Sequence, residues 1–270
     1  MTKLDYVKTA KPYEGATVFS PSKFHKFIEK PHQWYREEIL GEDDGFDGNT
    51  SSVIGTIVHY IADCVAKDVP VEKSEIDNYI NSKEPSEEYD PDTVRAEYPS
   101  VAEALINGYV LERRRNYLAS ELRLLADIGN DCFLGGTIDV IEGTSRDCMI
   151  TDYKTYNSST KPKTIPSYYK YQLLSYAAIA IANNYTVTRL RLVYVNRPIT
   201  GEYSPKTGKQ FKSYPSEVTV LTEELNEEDL NFIYSMVNLA VDSLEATKKY
   251  PELTHVIWHD SRLKLEKGSK

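Results

Sequence analysis

The chain has 270 residues, 40% hydrophobic and 27% charged, enough for one well-buried core under an ordinary surface. No apolar run is long enough to span a bilayer and the polar stretch Met1 to Lys11 lacks a signal region, so a cytoplasmic location is expected and a membrane partner is not. A net charge of −9 argues at first sight against a polyanionic partner, and three cysteines (Cys64, Cys132, Cys148) without a CxxC pair argue against a disulfide frame or a zinc knuckle.

In chain order, residues 20 to 40 predict an amphipathic helix with Ser20 as N-cap and Pro21 at its first position. Glu42 to Thr50 is rich in Gly and Asp and reads as a loop. Within Ser52 to Lys67, Ile54, Ile57, Val58, Ile61, Ala62 and Val65 recur at helical spacing. Lys83 to Pro99, acidic and holding three prolines, reads as an exposed connection, and Val101 to Ala126 as a return to helix. Strands are expected over Cys132 to Glu142 and Cys148 to Thr155, joined by a hairpin at Gly143 to Asp147. A helix from Ser167 to Asn183, strands over Arg189 to Asn196 and Glu217 to Leu221, and a helix from Asn226 to Lys249 complete the chain. This order predicts one α/β domain: a mainly helical part over 17–126, a core over 127–221, and a C-terminal helix and tail over 222–270.

Charge is unevenly spread. Between Tyr153 and Pro215 ten basic residues, Lys161, Lys163 and Lys170 among them, face one acidic residue, Glu202; ten of the 21 tyrosines lie there too. Cations with flat rings suit a single-stranded nucleic acid groove, and the three lysines are its candidate substrate contacts. Charge alone equally fits a solvated basic face with tyrosines packed beneath it.

The sharpest local pattern is Asp152-x-Lys154. Side chains alternate along a strand, so both project from one face, and the hairpin brings Asp139 of the preceding strand towards Asp152. Two carboxylates can hold Mg²⁺ or Mn²⁺ with positions left for a phosphate oxygen. The cation then polarises the phosphorus–oxygen bond, while Lys154 orients or deprotonates the attacking water and offsets developing charge. His59, on the apolar helix, can complete the shell, with Asp63 one turn on to fix its tautomer; a surface histidine satisfied by Asp63 is the bland alternative. Gln172 and Tyr176 share a helical face, the first suited to a phosphate, the second to a base or to the core. Glu121 is a further acid that nothing in its own neighbourhood supports as a ligand.

Taken in order, Gly55-x-x-x-His59, Gly136-x-x-Asp139, Asp152-x-Lys154 and Gln172-x-x-x-Tyr176 resemble the RecB-type branch of the PD-(D/E)XK nuclease superfamily. Ser20-Pro-Ser-Lys-Phe with Lys30-Pro31 and Trp34-Tyr35 resembles its opening helix. The resemblance implies a restriction-endonuclease-like mixed β-sheet flanked by helices. It implies Mg²⁺ or Mn²⁺ held by His59, Asp139, Asp152 and the carbonyl of Tyr153, a catalytic role for Lys154, and substrate support from Gln172 and Tyr176. Relatives that carry an iron–sulfur cluster have a cysteine beside the early proline and three near the C-terminus. Lys30 stands at the first position and no cysteine follows Cys148, so no cluster is expected.

The expected activity is a metal-dependent DNA exonuclease acting at single strands or duplex ends, in recombination, repair or phage DNA processing. A structure- or strand-specific endonuclease and a non-catalytic nucleic-acid-binding subunit are the alternatives. No phosphate-binding GxxxxGK[ST] loop is present, so unwinding would fall to a helicase or recombinase partner. Related exonucleases form rings around DNA, which makes an oligomer compatible with the resemblance.

Overall fold

The computed structural model describes residues 15–42, 48–157, 160–199, 201, 208 and 212–259; the polar N-terminal stretch and residues 43–47 of the Gly/Asp-rich loop lie outside these. The chain opens with β1 (Thr17–Phe19), α1 (Pro21–Glu29) and α2 (Pro31–Trp34), which runs into a π turn. Three helices follow, α3 (Thr50–Ala66), α4 (Lys73–Asn81) and α5 (Pro91–Leu105), and then the short α6 (Leu111–Arg113). The long strands β2 (Tyr117–Gly129), β3 (Cys132–Thr144) and β4 (Asp147–Tyr156) come next, then α7 (Ser167–Ala182), β5 (Val187–Asn196), β6 (Val218–Glu224), α8 (Glu227–Lys249) and α9 (Thr254–Ile257).

The strands form one mixed sheet in the order β1-β3-β4-β5-β6, with β2 also pairing β3. β4 and β5 are parallel because α7 carries the chain back across the sheet between them. β3 is shared unusually. β2 pairs it antiparallel from Cys132 to Glu142, occupying one edge. On the other edge β1 pairs with Cys132 to Leu134 and β4 with Val140 to Thr144. Residues 135–139 therefore face an opening between β1 and β4, and Asp139 is the last residue before β4 closes on β3.

Each face of the sheet carries its own core. Leu134, Ile138, Ile150, Leu190 and Leu192 pack with Leu173 and Leu174 of α7, Ile233 and Val237 of α8, and Phe24 and Trp34 of the opening helices. Val140, Tyr153, Val193 and Val195 pack with Val53, Ile57 and Val58 of α3 and Val101 and Leu105 of α5. Leu192 and Val193 are neighbours in sequence yet belong to different cores, as a pleated strand requires. The expected mixed sheet flanked by helices is thus the architecture observed.

Three expectations are corrected. Lys83 to Pro99 is not simply a connection: Asp90 accepts the Asp92 N–H at 3.1 Å and Pro91 starts α5, which buries Val94 and runs through Pro99. Val101 to Ala126 is not continuously helical, because β2 begins at Tyr117. Its residues are good helix formers, yet Leu122, Leu124, Ala126 and Ile128 alternate onto one core, and pairing with β3 overrides propensity. Finally, Ser20 makes no side-chain cap; its hydroxyl lies 2.9 Å from that of Ser22.

Candidate active site

The site forms where β3 and β4 part. Their register ends at the Val140–Thr151 pair, one step short of Asp139 and Asp152. Beyond it Asp139 Oδ2 accepts the backbone N–H of Tyr153 at 2.6 Å, so the carboxylate bridges the diverging strands.

α3 brings His59 to this point from one side of the sheet. Gly55, one turn earlier, permits the close approach: a Cβ there would lie 3.3 Å from Thr155 Oγ1 of β4. The Tyr153 carbonyl accepts a hydrogen bond from His59 Nε2 at 3.0 Å. His59 Nδ1 lies 3.4 Å from Asp139 Oδ1 and 3.7 Å from Glu121 Oε1. Asp63 does not orient the imidazole, contrary to expectation. Its carboxylate is engaged by Lys67 at 2.7 Å and by the Ser120 hydroxyl at 2.7 Å.

Glu121 is the further acid that sequence reasoning named without finding local support for it as a ligand. The register of β2 with β3 places it opposite Asp139, and its φ of +48° is left-handed inside a strand. Such a conformation costs an ordinary residue roughly 1–2 kcal/mol. It also reverses the pleat. Leu122 and Ile138 join the α7-side core, whereas Val140 joins the α3-side core and Ser120 reaches Asp63 of α3. Glu121 and Asp139 sit at this reversal, both beside His59. Ligand atoms of His59, Glu121 and Asp139 all lie within 4.8 Å of one another. An imidazole and two carboxylates this close could hold one divalent metal ion between them.

Asp152 stands next to this group and is directed elsewhere. Its Oδ2 lies 2.6 Å from Lys154 Nζ, and its Oδ1 accepts from Gln172 Nε2 at 3.2 Å. The Gln172 amide also donates to the Tyr176 hydroxyl at 3.2 Å. Gln172 and Tyr176 thus act as one unit on α7, and Tyr176 is 6% exposed, packed in the core as well as bonded at the site.

Electrostatics follow from burial and crowding. Burial disfavours the His59 imidazolium, but the Asp139 and Glu121 carboxylates outweigh it and hold the ring well above its usual value. Burial pushes Glu121 up, only partly offset by His59. Burial acts the same way on Asp139, but His59, Lys154 and the Tyr153 N–H bring it below the usual carboxylate range. Asp152 is pushed up to about 6 by burial, opposed by Lys154 and reinforced by the charge of Asp139. Burial favours the neutral amine of Lys154, but Asp152 and Asp139 raise it, so the side chain stays an ammonium.

Two of the three proposed groove lysines are ion-paired. Lys161 pairs with Glu217 at 2.5 Å, Lys170 with Asp229 at 3.1 Å and Glu223 at 3.3 Å, and Lys163 is exposed. Arg189, Arg191 and Arg197 pair likewise with Asp147, Glu142 and Glu97. The acid-poor window is a property of the chain; folding supplies acids from outside it.

The family model for the PD-(D/E)XK nuclease superfamily matches residues 18–250. No curated protein matches the sequence. Among solved structures, a candidate exonuclease from Eubacterium rectale superposes with a TM-score of 0.53 at 13% identity, covering 89% of this chain and 86% of its own. An alkaline exonuclease from Laribacter hongkongensis matches with a TM-score of 0.34 at 15% identity, over 74% of this chain and 95% of its own. Among the described residues no helix is long and apolar enough to cross a membrane.

Proposed function

The chain belongs to the PD-(D/E)XK nuclease superfamily, and from that premise we propose that it is a Mg²⁺- or Mn²⁺-dependent DNA exonuclease. The observation that carries this reading is the junction of two charge groups at the opening in the sheet. His59, Glu121 and Asp139 lie on one side; the Asp152–Lys154 ion pair, steadied by Gln172, lies on the other. His59, Glu121 and Asp139 would hold the ion, with Asp152 beside them. When bound, a divalent cation supplies Lewis acidity to a phosphodiester and to a water.

The chain's own residues do the rest. Asp152 is ionised above about pH 6 and keeps Lys154 protonated 2.6 Å away. A buried ammonium at that position stabilises charge that grows on phosphate oxygens as the bond to phosphorus is cleaved. Gln172 fixes the Asp152 carboxylate with one end of its amide group and is itself steadied by Tyr176. Substrate would enter through the opening beside residues 135–139, where single strands or duplex ends are the proposed form.

Linear and circular DNA incubated with Mn²⁺ test the activity. Loss of the linear form alone is the expected result; nicked or linearised circles would make the enzyme an endonuclease, and intact DNA throughout would make it a binding subunit. Asp152→Ala and Lys154→Ala should each abolish cleavage while DNA binding survives within about tenfold. Full cleavage by either variant overturns the mechanism.

A further inference from the structure

We propose that Tyr168, backed by Tyr169 and flanked by His25, is a stacking platform for an unpaired base beside the scissile phosphate, so that the site selects single-stranded nucleic acid. This rests on the nuclease reading above and adds the residues that would set its substrate form.

Four tyrosines gather where β4 and β5 end and α7 begins. Tyr194 anchors them at 5% exposure. Tyr156 meets it edge-on at 4.8 Å and 88°, and Tyr169 at 5.5 Å and 75°. Tyr168 lies over Tyr169 with ring centroids 3.7 Å apart and is 39% exposed. The His25 ring of α1 stands 5.8 Å from it, tilted by 60°, with its Nδ1 3.0 Å from the Ser22 carbonyl. The row begins at the catalytic group, because Lys154 Nζ lies 5.5 Å from the Tyr169 ring.

A phosphate drawn to Lys154 therefore carries its base to the start of an aromatic row. A tyrosine serving only the core would have its ring covered, as Tyr194 has at 5% exposure. Tyr168 is held by ring contacts with Tyr169 and His25 and still presents surface. Every base has a π face, so such a platform tolerates any sequence. It excludes paired interior nucleotides, whose faces are already stacked. The tyrosines, unlike the ion-paired lysines of the same window, offer affinity that salt does not screen.

The test uses the full chain with Mn²⁺ and two substrates, a single-stranded oligonucleotide and a blunt duplex of the same sequence. Tyr168→Ala should raise KM for the single strand about 10-fold or more, with kcat within about threefold, and Tyr168→Trp should restore it. A strand ending in 2-aminopurine, bound in EDTA, should lose fluorescence with the parent protein and Tyr168→Trp but not with Tyr168→Ala. Equal quenching and equal KM in all three proteins overturn the platform. If the parent cuts neither substrate, the nuclease reading fails instead, and the quenching experiment still decides the platform by itself.

Discussion

Glu121 and Asp139 face each other across β2 and β3 and bring their carboxylates to the same atom, His59 Nδ1, at 3.7 and 3.4 Å. The left-handed backbone at Glu121 marks where the alternation resets: Leu122 and Ile138 face the α7-side core, whereas Val140 faces the α3-side core and Ser120 reaches Asp63 of α3. Strain of this kind persists where the surrounding structure enforces it, and functional sites are where it gathers.

Glu121→Gln keeps the shape and removes one charge. Mn²⁺ affinity should fall about tenfold or more, and the His59 pKa should move down because one of the two carboxylates raising it is gone. Calorimetry reads the first and NMR titration of the imidazole the second. An unchanged His59 pKa would show that Glu121 is not its partner.

Protons and the metal compete for the same groups. His59 is held well above its ordinary value and Asp152 near 6, so both carry protons at mildly acidic pH. His59 must lose its proton before it can serve as a ligand, and Asp152 adds negative charge beside the ion once it is ionised. Mn²⁺ affinity should therefore climb as pH rises from about 5 to about 8, with protons released on binding. Titrations in two buffers of different ionisation heat measure that release directly. Affinity independent of pH over this range would rule out His59 as a ligand.

Gly136 pairs with Leu124 of β2 in the stretch of β3 whose other edge is open, where the backbone must pass close to two rings. A Cβ there would sit 3.1 Å from Pro21 Cδ and 3.1 Å from Tyr176 Cε1, neither of which can rotate away. Gly136→Ala should cost about 1–3 kcal/mol by overpacking. Because Tyr176 steadies Gln172, and Gln172 steadies Asp152, the variant should also lower kcat. A urea melt and a cleavage assay check the two effects; a fully stable and fully active variant would contradict the crowding.

Much of this site is readable along the chain, and the failures share one cause. Asp152 and Lys154 are legible because a period of two needs only adjacent residues, and Gln172 and Tyr176 because four residues make one helical turn. Both depend on spacings shorter than one element. Glu121 is invisible by the same standard: its partner Asp139 is close only after β2 pairs with β3, and β2 is written in helix formers. The ion pairs that occupy Lys161, Lys170, Arg191 and Arg197 escape notice for the same reason. Their acids lie at Glu217, Glu223, Glu142 and Glu97, and no local window contains both members.

Trp258 shows the same dependence on distant chain. It is 1% exposed, stacks on Tyr35 at 4.5 Å and 14°, meets Phe27 at 6.3 Å, and donates its indole N–H to Thr247 Oγ1 at 2.8 Å. The C-terminal segment thus clamps the opening helices, whose Pro21 lies against Gly136 and Tyr176 at the edge of the site. Trp258→Ala should cost about 3–5 kcal/mol through the cavity it leaves. Trp258→Phe keeps part of the ring and forfeits chiefly one hydrogen bond, so its cost should be nearer 1 kcal/mol. Thermal melts of both variants decide between a clamp and a loose tail. If Trp258→Ala melts with the parent, α9 does not hold α1 and α2 in place.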